Sequence, residues 1–171
     1  TLLNDSSITL PIGYVNVDSL LMNYNFAKDL NESLLRKQES TRATLNQREG
    51  QIRNAAADFE RKLRNNAFLS TERAQQEQNR IMQMDQEYQQ LAERLTQEFM
   101  IEQEKLNIQM EDTIRARMRE FNRDKHYEII FSNRTTSTIL LAEDKYDITN
   151  EVVEFLNSKY GPATAAATSG K

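Results

Sequence analysis

Residues 26–123 constrain the fold most, because they form a run of nearly 100 residues that contains no proline and a single glycine, Gly50. Proline and glycine are the residues that most often interrupt regular structure, and both prolines of the chain, Pro11 and Pro162, lie outside this run. The run therefore predicts very long helix. A helical pattern much longer than about 25 residues without internal caps favours helices that pack along their length, as in a coiled coil.

Mostly apolar positions recur every 11 residues within this run. An 11-residue repeat corresponds to about 3.67 residues per turn, close to the natural period of a helix, so each stripe runs almost straight along its helix. Two such helices can pack side by side over a long distance. The rows are Leu30, Thr41, Ile52 and Leu63 with Leu34, Leu45, Ala56 and Ala67 in the first half, and Tyr88, Phe99, Met110 and Phe121 with Met84, Leu95 and Leu106 in the second.

A turn near residues 65–71 would allow the two halves of the run to meet. The two asparagines that open this segment weaken a helix, Ser70 can cap a new one, and Glu72 suits a first helical turn. The sequence therefore predicts an antiparallel hairpin, an arm about 60 Å long at 1.5 Å per residue. Apolar residues are densest at 108–121 and sparse after the turn, so we expect the hairpin to be least stable at its tip.

Short β-branched and apolar runs on either side of the hairpin predict a small sheet. Residues 12–17 predict one strand, and residues 127–132 and 138–142 predict two more around a loop at 133–136. The last two runs are apolar on both sides, so both faces of the sheet require burial. The chain's own helices can cover one face, and a partner chain is the simplest cover for the other. The oligomerisation candidates are Ile12, Tyr14, Val15, Ile129, Phe131, Ile139 and Leu141.

Two short helices are predicted beside these strands. We expect Asp18 to cap the first, which ends at a break between Asn23 and Asn25, and Thr149 to cap the second, which ends near Tyr160. The predicted fold is α+β and mostly α, with a long antiparallel helical hairpin projecting from a small three-stranded β base. The predicted organisation is a mobile leader (1–11), an oligomerisation base (12–25 and 124–160), the hairpin arm (26–123) and a disordered tail (161–171).

Composition argues against several classes of function. The net charge is −4 and the pI is near 5.2, whereas a nucleic-acid-binding domain normally carries a basic face. The chain contains no cysteine, and its only histidine, His126, lies at a predicted strand start, where a structural role is expected. No P-loop or GxGxxG motif is present. We therefore predict no catalytic residue, no metal, no cofactor and no nucleic-acid partner.

Charge is distributed unevenly along the predicted arm. Residues 42–64 contain six basic and three acidic residues, which gives a local net charge of +3. Such a positive segment either steers a binding partner or is simply a solvated face. Phe68 and Leu69 lie at the turn, where they either clasp the two helices together or contact a partner. The candidate contact residues are Arg53, Arg61, Lys62, Arg64, Phe68 and Leu69.

A strand that runs into Asp18-Ser19-Leu20-Leu21, a long Gln-rich hairpin, a strand at 127–132 and the segment DITNEVVEFLN at 147–157 follow one another along the chain. In this order they resemble the Skp (OmpH-like) family of periplasmic chaperones over about residues 12–159. The resemblance implies a trimer in which strands form a central β-barrel and three helical hairpins surround a cavity. It implies that the cavity holds unfolded outer-membrane proteins without ATP, and that the contact residues above meet these clients.

We therefore predict an ATP-independent holdase chaperone, not an enzyme, whose partners are unfolded outer-membrane proteins and other copies of itself in a homotrimer. The resemblance implies a periplasmic location after removal of a signal peptide, and it allows proximity to a membrane surface or to lipopolysaccharide. Two alternatives stay open. One is a coiled-coil scaffold or adaptor that binds a single folded partner, and the other is a prefoldin-like cytosolic chaperone.

Overall fold

The computed structural model describes residue 5 and residues 7–134 and 139–164. The chain divides into two units, which we call the arm unit (Ser33–Lys105) and the base unit (Thr1–Glu32 with Leu106–Lys171). The base unit is larger than the predicted base, because it takes in helix at both ends of the predicted arm. In chain order the elements are β1 (Ile12–Asn16), α1 (Val17–Asn23), α2 (Asn25–Arg64), α3 (Thr71–Lys125), β2 (Ile129–Asn133), a 3-10 turn (Asp144–Tyr146) and α4 (Thr149–Tyr160).

The arm unit is a helical hairpin with its turn where the sequence places it. The last turn of α2 is closed by the N–H of Ala67, which donates to the carbonyl of Lys62 at 2.9 Å, and Asn66 adopts a positive φ of 46°. Ser70 caps α3, because its Oγ accepts the N–H of Arg73 at 3.1 Å. The segment between the two helices is therefore a short, hydrogen-bonded reversal.

The less exposed side of each arm helix follows the predicted 11-residue rows. Leu45, Ile52 and Tyr88 are all half-buried, whereas Leu63, where its row reaches the tip, is exposed. No residue of α2 is buried, and the two buried residues of α3, Met110 and Phe121, belong to the base unit. The arm is thus stabilised by a seam of partly buried side chains and by helix formation, without a closed core.

The base unit is built on a two-stranded parallel sheet. β1 and β2 pair in register from Ile12 with Ile129 to Asn16 with Asn133. One face of the sheet carries Val15 into the core, where α1, α4 and the end of α3 meet it. The buried apolar cluster comprises Val15, Leu20, Tyr24, Met110, Phe121, Ile148, Val152 and Leu156.

The predicted third strand is wrong over its described part. Residues 139–142 form no strand, and Leu140 and Leu141 are 98% and 93% exposed; Thr138 and residues 135–136 of the predicted loop lie outside the described residues. The second edge of β1 is met instead by a single parallel bridge between Tyr14 and Asp147. An apolar run indicates a strand only where another strand is available to pair with it.

The caps of the two short helices also differ from the prediction. Asn16, not Asp18, caps α1, because its side-chain oxygen accepts the N–H of Ser19 at 3.1 Å. β1 ends at Asn16, so Asp18 already lies in the first turn, where its charge suits the helix dipole. Thr149 is the first residue of α4, and Asp147 accepts its N–H at 3.0 Å.

Both ends of the described chain are bound to the base unit. The Ile8 carbonyl accepts a hydrogen bond from the Lys145 side chain at 2.8 Å. Ala163 is buried, and the N–H of Thr164 donates to the carboxylate of Asp29 at 3.2 Å. The mobile leader (1–11) and the disordered tail (161–171) stay predictions, and residues 1–4, 6 and 165–171 lie outside the described part.

Candidate functional site

The base unit presents an uncovered apolar surface, which we call the open sheet face (Ile12, Tyr14, Ile129 and Phe131). The strand register places Ile12 beside Ile129 and Tyr14 beside Phe131, on the face opposite Val15. Ile129 and Phe131 are 51% and 42% exposed. Partial burial, reinforced by the charges of Asp147 and Asp144, raises the pKa of the Tyr14 phenol. The face consists of aliphatic and aromatic side chains and carries no charge at neutral pH, because an ordinary phenol is already protonated there.

The structure separates the predicted oligomerisation residues into three groups. Ile12, Tyr14, Ile129 and Phe131 share the open sheet face, and Ile139 and Leu141 lie in the irregular segment that follows β2, where Leu141 is exposed. Val15 is different, because it packs in the core of its own chain. The alternation of side chains along a strand could have revealed this difference, because it places Val15 on the opposite face from Tyr14.

The arm tip holds the predicted contact residues at the turn. The centroids of the Phe68 and Phe59 rings lie 5.5 Å apart, so Phe68 packs the turn against α2. Leu69 is 87% exposed and free to make other contacts. An open cavity of about 360 Å³ lies beside Phe68, lined by Lys62, Leu63, Asn66, Phe68, Ser70, Thr71 and Ala74.

The basic candidates near the tip are largely paired on the helix surface. Arg61 and Lys62 both form ion pairs with Asp58, at 3.1 Å for Lys62, and Arg53 lies 3.8 Å from Glu49. The hydrogen bond from Lys62 is the main cause of the lowered pKa of Asp58. Arg64 makes no ion pair with any described residue. Exposed pairs of this kind contribute little to stability, so these side chains can exchange partners readily.

The arm also exposes six large apolar side chains, of which the sequence analysis had named Leu63 as a seam residue and Leu69 as a contact candidate. The other four were missed, because they fall outside the 11-residue rows, which mark only the seam between the helices. The signal that reveals them is their position on the outer side of each helix, between charged and amide residues. The exposed apolar set of the arm unit is Leu35, Leu63, Leu69, Met82, Met100 and Ile101.

No group of three or more His, Cys, Asp or Glu side chains is placed to hold a metal ion in the part searched. His126 follows α3 with a φ of 61°, and its N–H donates to the carbonyl of Asn122 at 3.0 Å, a position in a turn. None of the described helices combines the length and apolar character that crossing a membrane requires.

These features define a class of protein with a long helical hairpin and a small α/β base that leaves an apolar sheet face open. The family model described as outer membrane protein (OmpH-like) matches residues 11–156, so the chain belongs to this family. The resemblance inferred from the sequence is thereby confirmed.

A solved structure supports the fold. A protein from Caulobacter crescentus, described as an OmpH-like outer membrane chaperone, matches with a TM-score of 0.78 at 12% identity, over 89% of this chain and 86% of that chain. At this level of identity the match shows a shared fold. No curated protein sequence matches the chain.

Proposed function

We propose that this protein is an ATP-independent holdase chaperone of the periplasm that encloses unfolded outer-membrane proteins between helical arms and prevents their aggregation. The observation that carries the proposal is the arm surface, where apolar side chains stand exposed among charges. Membership of the OmpH-like family and the chaperone description of the Caulobacter crescentus protein support it. Both also favour it over a prefoldin-like cytosolic chaperone.

The chemistry of the arm suits an unfolded client. Each exposed side chain, such as Met100 or Ile101, offers apolar area worth at most about 1.5–3 kcal/mol if fully buried, and less in a partial contact. Many weak contacts can hold a chain of any sequence while letting each segment exchange. The flanking charges keep the arms solvated, and the basic residues near the tip, such as Arg64, would add weak attraction to anionic clients, lipids or lipopolysaccharide.

We further propose that copies of the chain associate through the open sheet face, as a homotrimer. Within one chain, Ile129 and Phe131 remain about half exposed on this face, and Leu140 and Leu141, in the segment that follows β2, are almost fully exposed. Contiguous exposed apolar surface of this kind is typical of protein–protein contact. Association would bring several arms together, which enclosure of a client requires.

The test is suppression of aggregation without ATP. A urea-denatured outer-membrane β-barrel protein is diluted into stoichiometric chaperone, and light scattering is followed. The expected result is strong suppression by the wild type and at least a twofold loss for the triple variant Leu35→Ser, Met100→Ser and Ile101→Ser. The matched control introduces serine at three exposed glutamines instead, Gln38, Gln97 and Gln103.

Two outcomes would contradict the proposal. If the wild-type protein leaves aggregation unchanged while it captures a single folded partner saturably, the scaffold alternative is correct. If the triple variant and the amide control suppress aggregation equally, the exposed apolar set is not the client surface.

A further inference from the structure

The break between α1 and α2 falls at Tyr24, in a segment with neither proline nor glycine. Tyr24 has φ −75° and ψ 119°, so its φ is already near the helical value and only ψ differs from a helix. Its N–H donates to the carbonyl of Leu20 at 2.8 Å, and its carbonyl accepts the N–H of Lys28 at 3.1 Å. Both bonds have the spacing of a continuous helix. The neighbouring asparagines weaken a helix here without forbidding it.

A side chain from α4 spans this break. The Asn157 Oδ1 accepts the N–H of Asn25 at 2.8 Å, and its Nδ2 donates to the carbonyl of Asn23 at 3.0 Å. One carboxamide thus satisfies the first amide of α2 and the last carbonyl of α1, groups that a helix end leaves unpaired. A capping side chain usually belongs to the residue that precedes the helix, whereas this one lies 132 residues away along the chain.

The end of α4 and the residue after it also contact the start of α2. The side chain of Asn25 is turned away from its own helix, and it donates to the carbonyl of Gly161 at 2.9 Å. The Tyr160 hydroxyl donates to the Asp29 carboxylate at 2.6 Å, and its ring lies 5.1 Å from that of Phe26. Among the described bonds, the first amide of α2 is therefore capped by α4, and the side chains of Asn25 and Asp29 are bound by Gly161 and Tyr160.

We propose that α4 of the same chain caps the break from a distance in sequence, and that the chain has two conformations at this point. In one, α1 and α2 are separate and Asn157 is bound across Tyr24. In the other, a single helix continues through Tyr24 when Asn157 is withdrawn, and the amides of residues 25–27 take the carbonyls of residues 21–23. The continuous form gives up the burial of Leu20 and Tyr24, so it is the minor form while α4 is docked.

The experiment is Asn157→Ala in the full chain, followed by NMR amide exchange and the Tyr24 13Cα chemical shift. The expected result is a Tyr24 shift displaced toward the helical value, with slower exchange at the amides of residues 26 and 27, which gain helical acceptors in the continuous form. Asn157→Asp keeps the oxygen that accepts from Asn25, so it should retain most of the separated form and its Tyr24 shift. Asn150→Ala, an exposed asparagine in the first turn of α4, is the matched control and should change neither observable.

Two results would overturn the proposal. The first is a Tyr24 shift that is unchanged in Asn157→Ala, which would mean that the break persists without its cap. The second is faster exchange at core amides such as those of Val15 and Val152, which would mean that the variant loosens the base as a whole and that Asn157 has no specific capping role.

Discussion

The Oγ1 atom of Thr149 lies 2.8 Å from the backbone nitrogen of Asn16 and accepts its hydrogen bond, which joins the end of β1 to the start of α4 across 133 positions of sequence. The same hydroxyl donates to the Asp147 carboxylate at 2.6 Å. Thr149 is buried, and both its donor and its acceptor are satisfied. One hydroxyl thus links the first strand, the last helix and the segment that bridges to β1.

Replacing Thr149 by valine should destabilise the protein. Valine has nearly the same shape but leaves the Asn16 N–H without its acceptor, so we expect the free energy of unfolding to fall by about 1–3 kcal/mol. Urea denaturation followed by circular dichroism measures the loss. Thr149→Ser keeps the hydroxyl and should lose no more than about 1 kcal/mol, the value of one methyl group. Equal stability of the valine variant and the wild type would contradict this role.

Gly13→Ala should also destabilise the base. A Cβ at this position would lie 2.8 Å from Ile148 Cδ1 and within 3.3 Å of its Cγ2, and Ile148 is buried. Overpacking of this kind typically costs about 1–3 kcal/mol, again measurable by urea denaturation. Ile148→Val removes the nearest atom, so combining it with Gly13→Ala should cost less than the sum of the two single changes. An additive double variant would show that the two positions do not clash.

Gly50→Ala should instead stabilise the protein. Gly50 lies inside α2, and a Cβ there would meet nothing within 4 Å. Alanine in an open helical position is favoured over glycine by about 0.5–1 kcal/mol. The arm should therefore melt at a higher temperature, with more helix retained by circular dichroism on heating. A lower melting temperature would indicate that the arm needs the flexibility of glycine at this point.

The Tyr160 hydroxyl should lose its proton at a higher pH than an ordinary tyrosine. Its hydrogen bond to Asp29, together with partial burial and the charge of that carboxylate, raises the pKa of Tyr160 to about 12. Because the pKa is raised in the folded state, the contribution of this bond to stability is complete below about pH 10 and is lost as the pH rises through about 12. Asp29→Asn should return the pKa toward its usual value, as measured by the 13Cζ shift of Tyr160. A Tyr160 that titrates near pH 10 in the wild type would refute the contact in solution.

Phe131→Asp should weaken self-association. It places a charge on the open sheet face, where a second copy would have to bury it, so sedimentation should show smaller species at micromolar concentration. Ser132→Asp is the matched control, since it adds the same charge on the other side of the strand. Indistinguishable sedimentation of the two variants, or a folded wild-type monomer at this concentration, would count against the proposed interface.

Amide exchange should vary along the hairpin. Protection should be lowest around residues 65–80, where the side chains are mostly exposed, and highest around residues 108–121, which include the buried Met110 and Phe121. Mass spectrometry of deuterated peptides resolves this gradient. Uniform protection from tip to base would mean that the hairpin opens as a single unit.

The helices were predictable from the sequence because their signals are local. The 11-residue rows and Ser70 each act within a few residues, and both long helices and their turn occur where these signals place them. The parallel pairing of β1 with β2 was not predictable in the same way. Its strands lie more than 100 residues apart, and a strand's own pattern does not identify its partner.

The candidate surfaces were predictable only in part, for a related reason. Ile12, Tyr14, Ile129 and Phe131 were identified from their apolar character, but the side of the sheet that each occupies emerges only when the strands pair, and Val15 proves to lie on the core side. The apolar run at 139–142 indicated a strand, but it pairs with no strand in the described part of the chain. Four of the outward apolar residues of the arm were missed because the periodicity marks the seam alone.

The absence of any buried residue in α2 has a consequence for how this sequence can evolve. Substitutions at solvated positions of a helix usually change stability by less than about 0.5 kcal/mol, whereas changes in a packed core cost several times more. Most positions along α2 can therefore drift freely provided that helix and seam persist, while the cluster around Val152 and Leu156 tolerates little change. Such an unequal division of mutational tolerance would let the sequence diverge along α2 while the base keeps the fold.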